Sequence, residues 1–160
     1  METNVTSSVA SVDLTIRSAT ADDIDAITSC VRAAYSLYAT RMGKQPAPML
    51  ADYQQRVADR QAWVALVNDD VAGAIVMWAR DDHLYVDNVA VDPERQGSGV
   101  GAALLGQAEQ TAAELGFDEI RLYTNVAMTE NLDYYPRRGF VETHRASEEG
   151  YERVYFSKRV

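Results

Sequence analysis

The chain has 160 residues, 47% hydrophobic and 24% charged, the composition of one ordinary globular domain with enough apolar material for a real core. A net charge of −9 argues against nucleic acid, which needs a basic face, and against an anionic membrane surface. Cys30 is the only cysteine, which excludes an internal disulfide or a cysteine metal cluster, and no apolar run reaches the roughly 18 residues of a membrane span.

Residues 1–12 are rich in Ser, Thr and Asn, have no period and read as a disordered leader without the pattern of a signal peptide. A cytoplasmic protein is therefore expected, with its folded domain over 13–160. Leu14 to Arg17 alternates and predicts a first strand. Thr20 with Asp22 and Asp23 predicts a capped helix start, after which Ile24, Ile27, Val31, Ala34, Tyr35 and Tyr38 share one face. Cys30 falls on that apolar side and reads as a small buried hydrophobe. Gly43, Pro46 and Pro48 end the helix in a loop, and a short second helix is expected from Leu50 to Asp59.

Trp63–Val67 and Val71–Ala79, joined by Asn68-Asp69-Asp70, predict an antiparallel hairpin. Asp81-Asp82 turns the chain into Leu84–Val91. A long helix then starts near Gly99 and is expected to bury Leu104, Leu105, Ala108, Thr111, Ala112 and Leu115, with Gly116 as its cap. Ile120–Thr124 is a strand, and Thr129 starts a short helix that ends at Gly139. Phe140–Arg145 and Tyr151–Phe156 are the last two strands. The order is β-α-α-β-β-β-α-β-α-β-β.

The chemistry concentrates between Val89 and Gly101. Gly97, Gly99 and Gly101 stand where a helix begins, and a helix start offers unpaired N–H groups and a positive partial charge to a phosphate. A Walker loop is excluded, because no Lys-Ser/Thr pair follows the last glycine. Gly97-x-Gly99-x-x-Ala102 fits a dinucleotide fingerprint with acids at Asp118 and Glu119 beyond it. The context is wrong for that fingerprint: Asp92 to Gln96 separate strand from glycines, and antiparallel strands precede. A ligand-free flexible turn is the remaining plain reading.

The spacing Val91-x-x-x-x-Gln96-x-x-Gly99-x-Gly101 resembles the acetyl-CoA pyrophosphate motif of the GNAT superfamily of N-acetyltransferases. Tyr135-Pro136-Arg137-Arg138-Gly139-Phe140 is similar to the segment that ends this family's last helix, and Ile16-Arg17 with Ala19, Thr20 and Asp23 to its first strand and helix start. The element order agrees over residues 14 to 158. The resemblance implies a single α/β (α+β) domain, with a mixed sheet of about seven strands splayed into a V, about four helices, and acetyl-CoA as cosubstrate in the opening. It implies that the backbone of Val89, Ala90 and Val91 pairs with the pantetheine arm. The N–H groups of Gln96, Gly97, Ser98, Gly99, Val100 and Gly101 would then hold the pyrophosphate. Arg95 is either a further phosphate contact or a solvated arginine.

Acetyl transfer needs a proton acceptor for the amine, an oxyanion donor and a proton for the leaving thiolate. Tyr135 stands where the family's catalytic tyrosine does and is the candidate acid, with Tyr134 beside it as the structural alternative. Pro136 removes a helical N–H and is expected to end or kink the helix there. Met128 replaces the Asn often found seven residues before that tyrosine. Asn131 either takes over its cofactor contact or serves the helix N-terminus. Asp87 is the candidate base, expected to share a face with Tyr85, Val89 and Val91, while Asn88 points the other way; the plain reading is an acid paired at a strand edge. The N–H of Val89 is the expected oxyanion donor. His83 and His144 read as surface residues.

Tyr35, Tyr38, Arg41, Met42 and the Pro46–Pro48 loop are candidates for one acceptor wall, and Arg145, Glu148, Glu149 and Tyr151 for the other. The expected acceptor is a primary amine of a small molecule or peptide, weakly favoured by the acidic surface if cationic. No metal, nucleic acid or membrane partner is expected, and the edge strands at the C-terminal end offer a route to a homodimer. A non-catalytic acyl-CoA-binding module and a dinucleotide-binding protein are the alternatives.

Overall fold

A computed structural model describes residues 13–160, so the expected leader over 1–12 lies outside the described residues. Seven strands form one mixed sheet: β1 (Leu14–Ser18), β2 (Ala62–Val67), β3 (Asp70–Arg80), β4 (His83–Val91), β5 (Glu119–Asn125), β6 (Val141–Glu148) and β7 (Tyr151–Arg159). Their order is β1-β2-β3-β4-β5-β7-β6, and every pairing is antiparallel except β4 with β5. Four α-helices cover the faces: α1 (Ile24–Met42), α2 (Tyr53–Ala58), α3 (Val100–Leu115) and α4 (Thr129–Arg137).

Period-two alternation sends each strand's side chains to two cores. Ala65, Ile75, Met77, Leu84 and Val86 pack with Leu104 and Ala108 of α3. Val64, Ala74, Val76 and Ala90 pack with Ile27 and Val31 of α1. Cys30 lies in the wall of this second layer, 6% exposed, and burial pushes its thiol up to about 11.

Local chemistry sets the helix ends. Asp23, buried at the start of α1, accepts the Thr20 N–H at 2.7 Å and pairs with Arg17 at 2.7 Å. Gly43 ends α1 in a left-handed conformation. The second helix starts later than Leu50, at Tyr53, because Asp52 caps it through the Gln55 N–H; Ala47–Leu50 forms a separate 3-10 turn behind Pro46. Leu115 is exposed rather than buried. Left-handed Gly116 reverses the chain, the Phe117 N–H bonds back to the Ala112 carbonyl, and Phe117 packs against the core in place of Leu115.

Pro136 does not end α4 early. The helix runs to Arg137 and closes with short bonds from the Arg138 and Gly139 N–H groups to the Tyr135 and Pro136 carbonyls. The missing N–H costs one bond to the Leu132 carbonyl, and only Arg137 remains helical beyond it. His83, expected at the surface, is 5% exposed: it opens β4, and its Nδ1 lies 3.1 Å from Asp82 Oδ1.

Two irregularities open the sheet at β4. Val86 faces Met77 and Asn88 faces Val76, so Asp87 has no partner on β3 and forms a bulge. On its other side β4 pairs with β5 only from Leu84↔Ile120 to Val86↔Leu122. Beyond Val86 the two strands separate, leaving the β4 edge free from Asp87 to Val91.

Candidate active site

The bulge corrects the expected face of Asp87. One extra residue resets the alternation, so Tyr85 packs at a tilt against Trp78 and stacks with Tyr123, while Val89 and Val91 pack toward the α3 core. Asp87 stands at the switch, in the wall of a narrow inner cavity of about 30 Å³. Asn88 lines the same cavity instead of facing away from it. Burial, the dominant influence, raises the Asp87 carboxyl above its usual range; Arg56 and Asn88 oppose it.

A larger groove of about 870 Å³ lies outside the split, between α1, the end of β4, the glycine turn and α4. Its floor is the free β4 edge. The Val89 carbonyl accepts the Tyr35 hydroxyl at 3.0 Å. A strand residue's N–H and C=O point to the same side, so the Val89 N–H also faces the open edge, and so by alternation does that of Val91. The Ala90 backbone faces β3.

Past Val91, Asp92 caps a 3-10 turn over Pro93–Arg95 through the Glu94 N–H. The N–H groups of Gln96 and Ser98, expected as phosphate donors, point back to this turn at 3.5 and 3.3 Å. Gly97 and Gly99 have φ of +84° and +92°, values that L side chains rarely adopt, and a Cβ on either would meet open space. The N–H groups of Val100, Gly101 and Ala102 open α3 and have no intrahelical partner. Gly101 serves another purpose: a Cβ there would come within 2.7 Å of the Tyr134 hydroxyl, so its bareness lets α4 approach α3. Arg95 does not line the groove. Arg137 and Arg138 do, the latter stacked over Tyr134 at 4.2 Å.

Groove and cavity meet at four residues that line both: Tyr35, Val89, Asn131 and Tyr135. Tyr135 is 7% exposed, its ring wedged among Tyr134, Phe140 and Phe156. Burial raises its hydroxyl well above the usual phenol range, so it keeps its proton. The Asn131 Nδ2 donates to Thr124 Oγ1 at 3.0 Å, tying α4 to β5 across the split.

The sequence model of the acetyltransferase (GNAT) family matches residues 29–140. The chain belongs to this family. Among curated relatives, the uncharacterized N-acetyltransferase YafP of Escherichia coli (strain K12) is 36% identical over 66 residues, 41% of this chain and 41% of YafP. The chain spans less than half the length of the curated relatives it matches. The PaiA N-acetyltransferase from Thermoplasma acidophilum, solved in complex with coenzyme A, superposes with a TM-score of 0.77 at 16% identity, covering 92% of this chain and 99% of that one. Ard1 from Thermoplasma volcanium gives 0.75 at 20% identity, covering 92% and 97%. At these identities the superpositions establish the shared fold, a single α/β domain with a split seven-stranded sheet.

In this GNAT acetyltransferase domain, the residues expected to form acceptor walls fall in different places. Arg41 is tied to Glu130 at 2.8 Å and to the Ala127 carbonyl, and Arg145 to Glu142. Tyr38 lines the outer groove, whereas Met42, Pro46, Pro48, Tyr151 and Arg153 line the inner cavity. Tyr123, Asn125 and Arg153 also line the inner cavity; as alternating strand residues they carry no local motif. Arg137 and Arg138 lie inside the Tyr135 segment, where two adjacent cations are a readable sign of an anion site. Among the described residues no group of His, Cys, Asp and Glu could hold a metal ion, and no helix is long and apolar enough to cross a membrane.

Proposed function

We propose that residues 13–160 form an acetyl-CoA-dependent N-acetyltransferase domain that acts on a primary amine of a small molecule or peptide by direct transfer. The observation that carries this reading is the junction at Val89 and Tyr135, where a groove large enough for a nucleotide thioester meets a small acid-bearing cavity. The groove fits the cosubstrate: Gly97 and Gly99 leave open backbone, the first turn of α3 offers N–H groups, Arg137 and Arg138 add positive charge, and the β4 edge offers a strand to pair with. Bound there, acetyl-CoA supplies the activated acetyl group; the amine nitrogen bonds to its carbonyl carbon as the C–S bond breaks.

The protein's part is proton and charge management. An amine of pKa near 10.4 is mostly protonated at neutral pH, so a base is needed. Asp87, made more basic by burial, accepts that proton directly or through one water. The Val89 N–H donates to the thioester oxygen as it gains charge. Tyr135 holds a proton, uncommitted to other described residues, for the leaving thiolate. Asn131 supports the sulfur end of the groove from α4. An ammonium acceptor yields the amide, the thiol and one released proton.

A thermal-shift panel tests the reading. Acetyl-CoA and CoA are expected to raise Tm, and NADH or NADPH to leave it unchanged; stabilisation by NADH alone would sink it in favour of a dinucleotide binder. Thiol release across an amine library then separates the enzyme from a non-catalytic acyl-CoA-binding module.

A further inference from the structure

The inner cavity has a chemical bias beyond what acetyl transfer requires. Tyr35 and Tyr151 in its wall, and Tyr53 behind it, each spend their single hydroxyl proton on a backbone carbonyl: Val89 at 3.0 Å, Gln45 at 2.8 Å and Pro48 at 2.6 Å. None of the three has a proton left for a ligand, whereas Tyr123 and Tyr135, also in the wall, keep theirs.

Tyr53 also fixes the orientation of Asn88. With its proton on Pro48, that hydroxyl can only accept, so Asn88 must present Nδ2 to it, at 3.3 Å. Oδ1 then lies on the other side of the amide. It is buried and has no donor, in a residue that is 6% exposed and lines the cavity. A buried amide oxygen without a donor is costly until one reaches it.

The charge in the wall follows the same bias. Asp87 takes part in none of the ion pairs among the described residues. Arg153, the one cation in the wall, gives its two terminal nitrogens to Glu148 at 3.1 Å and Glu149 at 3.4 Å, and its Nε is buried without an acceptor. At its outer rim Lys44 Nζ donates to the Gly150 carbonyl and lies over the Tyr151 ring, while Tyr151 holds Gln45.

An orphan acceptor beside an unpaired carboxylate, in a small aromatic chamber, calls for a donor-rich cation. A carboxylate on the same ligand would face Asp87, and the one cation beside it already carries Glu148 and Glu149, with only its Nε N–H left over. We infer that the acceptor is a primary amine with an apolar body and no carboxylate, that its ammonium end alone enters this cavity of about 30 Å³, and that Asn88 Oδ1 receives one of its N–H groups beside Asp87. This rests on the acetyl-transfer reading above and assigns Asn88 as a residue that selects the acceptor.

Matched pairs that differ only by the carboxylate test it: phenethylamine against phenylalanine, and isoamylamine against leucine. Two readouts are taken, calorimetric binding to the CoA-loaded protein and kcat/KM with acetyl-CoA. The amines are expected to win by about tenfold or more in both. Asn88→Leu should raise the KM for phenethylamine about tenfold and leave the KM for acetyl-CoA unchanged, while Asn88→Asp, which keeps the acceptor oxygen, should retain amine binding. Equal or better binding of phenylalanine and leucine overturns the inference, as does an unchanged amine KM in Asn88→Leu. If that variant fails to fold, the ligand pairs decide the matter on the unmodified protein. Selective binding of phenethylamine without acetylation of any amine would defeat the enzymatic reading and leave this one standing; acetylation that favours the amino acids would do the reverse.

Discussion

The outer groove and the inner cavity share four residues but are built from different materials. The groove is a backbone site. Its donors are the N–H groups of a helix start and of a strand edge, and its glycines matter for what they lack. The cavity is a side-chain site, in which Asp87, Asn88, Tyr123, Tyr151 and Arg153 converge from three strands and a loop closes over them. A backbone site is specified by short spacing within one stretch. A side-chain site is specified by which distant residues the topology brings together, and so it can change its ligand without changing the fold.

The sharpest way to break this comparison is at the glycine turn. Gly99→Glu puts a charged side chain into a left-handed position facing the phosphate end of the groove, and CoA affinity should fall by about 100-fold or more, with the Tm gain from CoA lost. Retained stabilisation by CoA would remove the turn from the phosphate site. At the junction, Tyr135→Phe should lower kcat about 100-fold with acetyl-CoA affinity nearly unchanged, because only the proton is removed. An unchanged kcat on a good acceptor would take Tyr135 out of the chemistry.

On the cavity side, Asp87→Asn should cut kcat by about 100-fold or less. It should also flatten the rise of kcat/KM with pH that the carboxylate form of Asp87 imposes. The stability effect has the opposite sign. Burial raises the folded-state pKa of this carboxyl, so the stability it lends in its neutral form below about pH 4 is lost as pH rises through the raised value. Asp87→Asn is therefore expected to raise Tm at pH 7, and a lowered Tm would count against the buried, unpaired carboxylate. The smallest effect belongs to packing between the two helices that frame the groove. Gly101→Ala should change the unfolding free energy by no more than about 1 kcal/mol in denaturant unfolding, because the Tyr134 hydroxyl that its Cβ meets at 2.7 Å is the end of a side chain that can swing aside, and alanine is the better helix former. CoA affinity should change little if Gly101 matters for helix approach and not for the anion.

The same division explains what could be read beforehand. Hairpin, glycine turn, long helix and closing strands follow from periodicity and turn residues that act over a few positions. Pro136 does not stop its helix because it stands one residue before the end: the bond its N–H would give to the Leu132 carbonyl is lost, but almost no helix remains beyond it to be broken. Leu115 was misjudged because a Schellman reversal at Gly116 hands its packing to Phe117. The face of Asp87 was misjudged because strict alternation contains no bulge, and a bulge is decided by the register of a strand ten residues away. Arg153 and Tyr123 carry no local signal at all; they enter the site only because β5 and β7 pair side by side.

The bulge at Asp87 has an evolutionary consequence. A residue that no partner on β3 holds contributes nothing to the ladder, so its side chain can be exchanged without unzipping the sheet that frames it. Architecture and reactivity are thereby written on separate letters of the same strand: Val86 and Asn88 keep the register, while position 87 is left free to be tried as acid, amide or hydroxyl. A lineage could change the proton-accepting group at that single position and inherit an intact cofactor groove each time.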